Sequence, residues 1–176
     1  MAAGDFDGDG VQDLAVGAPY EDLRDFPLGC MVDHVDAGSV TVLYSTLAFG
    51  VAKKSAQFLF QGGNTAIAQP RYQWGNNRFG FSLTAWKFGN GLNNDLAVGA
   101  PGDELKTWGD PGPCYTGFPF PREGPGGGAV EVLYGPLNLA SSGNQKLHQN
   151  NPAVIPGALR LRGRAEPNDA FGRAVY

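Results

Sequence analysis

The stretch Asp13-Leu14-Ala15-Val16-Gly17-Ala18-Pro19 returns unchanged 82 residues later as Asp95-Leu96-Ala97-Val98-Gly99-Ala100-Pro101. A seven-residue identity within one chain marks an internal repeat, and repeats of this kind are stacked structural units. The segments around it recur in the same order. Gly38-Ser39-Val40-Thr41-Val42-Leu43-Tyr44 is matched by Gly128-Ala129-Val130-Glu131-Val132-Leu133-Tyr134, an offset of 90. Phe58-Leu59-Phe60-Gln61-Gly62 has a weaker partner in Leu159-Arg160-Leu161-Arg162-Gly163, and Phe79-Gly80 recurs as Phe171-Gly172. Constant order with changing spacers describes fixed elements joined by loops of variable length.

Each recurring element reads as a strand. Val40, Val42 and Tyr44 alternate with Ser39, Thr41 and Leu43, and Val130 and Val132 flank Glu131, a period of two rich in β-branched residues. The Leu-Ala-Val run is continuous and apolar, so burial on both faces is expected, and its small residues allow close backbone approach. Four strands per unit follow: one at Phe-Gly, one at Leu-Ala-Val, one at Val-x-Val, and one ending at Gln61-Gly62 or Arg162-Gly163. Composition agrees. The 176 residues include 27 glycines and 13 prolines, with 42% apolar and only 17% charged residues. This suits an all-β domain with many turns rather than a charged disordered chain. Four-stranded antiparallel units in series describe the blades of a β-propeller.

Phe-Gly, then an acidic loop, then Gly-Ala-Pro resembles the FG-GAP repeat of integrin α-subunit propellers, and the motif order covers nearly the whole chain. The resemblance implies a single propeller segment over residues 1–176, with blade unit one at about 5–86 and unit two at about 87–176. It also makes the ends informative. Joining Tyr176 to Ala3 restores the eight-residue spacing found between Phe79 and Lys87, which leaves Met1-Ala2 outside the repeat. The terminal strand 171–176 is then expected to complete a blade that starts at the N-terminus of a neighbouring chain. Propellers typically have about 4–8 blades. Three or four such chains, arranged head to tail, would close a ring. The competing expectation is a slice of a longer propeller.

Within unit one, Asp5-Phe6-Asp7-Gly8-Asp9-Gly10-Val11-Gln12-Asp13 sets carboxylates at loop positions one, three, five and nine. Calcium takes six to eight hard oxygen ligands, and alternating Asp residues can turn several oxygens onto one point. The expected ligands are Asp5, Asp7, Asp9, the Val11 carbonyl and Asp13, with Gly10 permitting the sharp turn. The pattern also resembles the integrin-type calcium loop position by position. In unit two, Lys87, Gly89 and Gly91 replace the first three acids and only Asp95 remains, so one calcium ion per chain is expected.

Long insertions follow Gly-Ala-Pro in both units, and each holds one cysteine, Cys30 or Cys114. Matched positions suggest a disulfide between blades or loops, against the alternative of two free thiols; a disulfide would indicate an oxidising compartment. With the resemblance, this leads to an expected extracellular or cell-surface location. The second insertion is rich in aromatics, and Trp108, Tyr115, Phe118 and Phe120 are candidates for a protein-binding or glycan-binding loop. The net charge of −4 and the lack of a clustered basic patch argue against nucleic acid. No stretch is apolar enough for membrane insertion. No nucleophile elbow, zinc-protease motif or phosphate loop is present, so no catalytic role is expected. The expected function is therefore a calcium-binding structural, adhesion or interaction module. The alternatives are a lectin-like propeller or the non-catalytic propeller part of a larger secreted enzyme.

Overall fold

The structure is a computed structural model that describes residues 1–25, 32–48, 50–61, 76–89, 91–103, 126–135, 144–149, 166 and 168–175. These residues are all-β, arranged as two four-stranded antiparallel sheets and one small hairpin. The first sheet consists of β1 (Ala2–Gly4), β2 (Asp13–Ala18), β5 (Ser39–Thr46) and β6 (Gly50–Leu59), adjacent in that order. The second repeats the arrangement with β7 (Ser82–Trp86), β8 (Asp95–Ala100), β9 (Ala129–Leu133) and β10 (Gln145–Leu147). The hairpin, β3 (Leu23–Asp25) and β4 (Val32–His34), lies within the first long insertion. Each sheet has the form of one propeller blade.

Strand register confirms the repeat. Ala15 stands opposite Val42 in the first sheet, and Ala97 stands opposite Val132 in the second. Register also corrects one expected element. Val42 pairs with Gln57, and its counterpart Val132 pairs with Gln145. The partner of Gln57-Phe58-Leu59-Phe60-Gln61 is therefore Gln145-Lys146-Leu147-His148-Gln149, not the stretch 159–163. The weaker apolar match there was misleading because Lys146 and His148 stand where the first blade has Phe58 and Phe60, and Lys146 is held by its ion pair with Asp103. The retained signal is Gln-x-Leu-x-Gln.

The Phe-Gly pair lies just ahead of the strand to which it was assigned. Phe79 bridges back to Gly38 of the first blade, and Phe171 bridges back to Gly128 of the second. The Phe79 amide donates to the Ala37 carbonyl and that of Phe171 to the Gly127 carbonyl, each at 3.0 Å. Each pair thus lies on one blade before the chain enters the next. Phe79 is fully buried. Gly17 is needed for this contact, because a Cβ there would run into the Gly80 carbonyl.

The two copies of Asp-Leu-Ala-Val-Gly-Ala differ in burial. All six residues are buried in β8, but only Asp13 and Ala15 are in β2. Two causes are visible. β7 pairs with β8 from Gly99 to Asp95, whereas β1 pairs with β2 only from Ala15 to Asp13. Among the described residues, Val16 and Gly17 thus lack the rungs that β7 gives to Val98 and Gly99. In addition, the Leu96 and Val98 face packs against the first blade, in one apolar cluster with Ala15, Val40, Val42 and Phe6. Leu14 and Val16, which occupy that face in the first blade, have no such partner and stay half-exposed. Ala2 lies within the ladder opposite Ala15, so it does not stand outside the repeat as expected. It holds the rung that Thr84 holds in the second blade, opposite Ala97.

The junction between the blades also holds a buried polar network. Gln61, two residues beyond β6, donates to Asp103 at 2.7 Å and to Glu131 of β9, and accepts from Asn77 at 2.8 Å. Lys146 neutralises Asp103, with its Nζ 2.7 Å from a carboxylate oxygen. Glu131 is only 1% exposed, although the alternation of β9 alone would place it on a polar face. Burial of an acid between blades is tolerable here because it is hydrogen-bonded.

Candidate metal centre

The acidic loop connects β1 to β2 at the end of the blade where Gly4 stands opposite Asp13. Its short-range geometry follows from side chains that capture nearby amides. Asp5 accepts from Gly8 at 2.7 Å and from Gly10 at 3.0 Å. Asp7 accepts from Asp9 at 3.2 Å, and Asp9 accepts from Val11 at 2.9 Å. Gly8 and Gly10 both adopt φ 84°, a conformation that a side chain would disfavour. The result is a tight coil whose carboxylates face one another.

Asp5, Asp7 and Asp13 each bring a carboxylate oxygen to within 4.8 Å of the other two. Oxygens that share a calcium ion at about 2.3–2.6 Å lie no more than about 5 Å apart, so the donor set fits that ion. Asp9 does not join the three; its carboxylate turns to the Val11 amide. Asp13 is 1% exposed and holds two amides, Phe6 at 3.0 Å and Ser45 at 2.8 Å. Burial pushes its carboxyl above the usual carboxylate range. The Ser45 and Phe6 amides oppose that rise, and the charges of Asp7 and Asp9 add to it. A cation in the loop would relieve this repulsion.

The loop also forms part of the contact between blades. The Asp5 amide donates to Asn94 Oδ1 at 3.0 Å, and the Asn94 amide donates to the Asp5 carbonyl at 2.8 Å. Sequence reading missed Asn94, since nothing in the loop's own pattern points across the junction. It missed the Gln61 network for the same reason, although the recurring glutamine was a usable signal.

The equivalent loop of blade two has a different solution. Asp95 holds the Gly89 amide at 2.8 Å and the Gly135 amide at 3.1 Å, much as Asp13 holds Phe6 and Ser45. Lys87 is exposed. Among the described residues, no second group of acids gathers there. The clasp made by this aspartate is thus common to both blades, while the metal-type donor set belongs to the first.

The other candidates are placed as follows. Cys30, Cys114, Trp108, Tyr115, Phe118 and Phe120 lie outside the described residues. Asp33 pairs with Arg24 at 2.6 Å on the β3–β4 hairpin, and His34 is buried. No helix among the described residues is long and apolar enough to cross a membrane.

Residues 1–43 match the family model of the FG-GAP repeat. The match spans the acidic loop, the first Gly-Ala-Pro and most of β5, and it is consistent with the resemblance drawn from both repeats. No curated protein matches the chain.

Proposed function

We propose that this chain is a calcium-binding propeller segment that serves as a structural and interaction module outside the cell and assembles head to tail. The observation that carries the reading is the acidic loop beside the junction of the blades, where Asp5, Asp7 and Asp13 each bring a carboxylate oxygen within 4.8 Å of the other two. Among the described residues, Val16 and Gly17 have no counterpart of the rungs that Leu83 and Ser82 supply to Val98 and Gly99 in the second blade. By repeat position, Ala174 and Val175 of a neighbouring copy are the counterparts of Ser82 and Leu83. An incoming copy would add these rungs ahead of Ala2 and cover Leu14 and Val16. An open edge beside apolar side chains favours such strand addition.

Calcium supports the same assembly. Asp5, Asp7 and Asp13 would hold the ion, with the Val11 carbonyl and Asp9 as the remaining expected donors. An ion bound there would stiffen a loop whose backbone already bonds to the next blade through Asn94. We assign no catalytic step to the chain.

Light scattering during size exclusion tests the proposal, with calcium and then with chelator. The expected result is a mass of three or four chains in calcium, falling on chelation. A monomer in both conditions would remove self-assembly and leave a slice of a longer propeller. Unchanged mass and unchanged melting on chelation would remove the role of calcium.

A further inference from the structure

At the opposite end of the blades from the acidic loop lies a cavity of about 540 Å³. Such a volume falls in the range that holds small ligands or a few side chains of a partner. It is lined by Tyr20, Asn76, Arg78, Phe81, Asn168 and Arg173, among others, and none of its described lining residues is acidic. We propose that this cleft binds an acidic side chain, Asp or Glu, presented by a partner protein. The proposal rests on the reading of the chain as an interaction module and names the chemistry of what it binds.

Three observations support it. First, the cleft holds two guanidinium groups. Arg78 lies over the Tyr20 ring at 5.5 Å, and among the described residues its ion-pair partner, Asp36, stands at 3.9 Å. That ion pair is at the limit of contact, and the Arg78 side chain is 41% exposed. The guanidinium therefore retains donors for a planar carboxylate, which it matches in geometry.

Second, the repeat itself does not require these arginines. Arg78 and Ala170 are equivalent positions with φ 55° and 54°, and Asn76 and Asn168 are equivalent with φ 66° and 70°. The backbone is the same with or without the arginine. The strain of positive φ comes from the Cβ that both residues carry, so the backbone gives no reason for arginine over alanine. Arg173 likewise stands where the first junction has Phe81.

Third, the rest of the lining suits a peptide. The Asn76 and Asn168 amides can each donate and accept, as a peptide group does. Phe81 and Pro101 offer an apolar wall beside the charges.

The test is a peptide array in calcium-containing buffer. Blocked hexapeptides with Asp or Glu at one fixed position are compared with otherwise identical peptides carrying Asn or Gln. The expected result is selective binding to acidic peptides, weakened by salt. Arg78→Ala and Arg173→Phe each place the repeat's own alternative residue at the site, so both variants should fold. Each should reduce that binding by about tenfold or more with unchanged melting temperature. Equal binding of acidic and amide peptides, or binding unaffected by both variants, would overturn the proposal. So would arginine-dependent binding of oligogalacturonate with no acidic peptide retained, since the ligand would then be a sugar acid. Calcium-dependent assembly without peptide selectivity would reject this proposal alone. Peptide selectivity in a chain that stays monomeric would reject the assembly and keep the cleft.

Discussion

Asp13 and Asp95 show how one residue type can serve two roles in the same place. Both accept one amide from their own loop and one from the end of the neighbouring strand, Ser45 within β5 and Gly135 just after β9. Replacing either with alanine leaves two amides without partners, at a cost of about 1–3 kcal/mol for each that is buried. Asp13→Ala and Asp95→Ala should therefore both lower the melting temperature in chelator. Only Asp13→Ala should also abolish the rise that calcium produces, which melting curves with and without calcium would reveal. His148 gives a separate prediction in pH. Burial lowers its pKa below 6.5, Lys146 adds to the effect, and Asp103 partly opposes it. The neutral form is thus favoured in the fold. Its contribution to stability is full above pH 6.5 and is lost as pH falls through the lower folded value. Melting temperature should drop between pH 8 and pH 5, and His148→Gln should flatten that drop. The acidic loop was legible in the sequence because its ligands are local. Asn94, 89 positions from Asp5, was not, because only the packing of two blades brings it near.

At the scale of elements, β2 and β8 form a matched pair. Their sequences are the same and their surroundings differ, so the cost of substitution measures the surroundings. Leu96→Ala should cost about 2–5 kcal/mol, as expected for a fully buried leucine. Leu14→Ala should cost clearly less in the isolated chain and should weaken any head-to-tail association. Urea unfolding of the two variants, together with their masses in calcium, checks both statements. The strands themselves were readable from the period of two and the repeated hexapeptide. The fourth strand of the second blade was not, since Lys146 and His148 replace two phenylalanines and remove the apolar signal. Burial on both faces was expected for both Leu-Ala-Val runs and holds for the second only. A sequence repeat shows that two strands are equivalent, but it does not show what lies on each side of them.

For the whole molecule, stability is expected to depend on ligand concentration rather than being one fixed value. Calcium at about 100 times its dissociation constant would add about 2.7 kcal/mol if it binds only the folded chain. That gain should be concentrated in the first blade. Hydrogen exchange should slow at Phe6 and Ser45 on adding calcium, and change little at Gly89 and Gly135. Equal slowing at all four amides would mean that the two blades unfold as one unit. The order of blades could be read from the recurring motifs, but the charged network between them could not. Its members, Gln61, Asp103 and Glu131, each resemble ordinary surface residues until the second sheet covers them.

The overlap made by the Phe-Gly pairs has a consequence for how such chains change over generations. Each pair rests on the preceding blade, so the boundary of the repeat in sequence falls inside the contact between blades in space. A duplicated or deleted stretch of one repeat length, wherever it starts, carries one half of an overlap at each end. The new junctions are then copies of junctions that already work. Blade number can change in a single genetic step without any joint having to be reinvented.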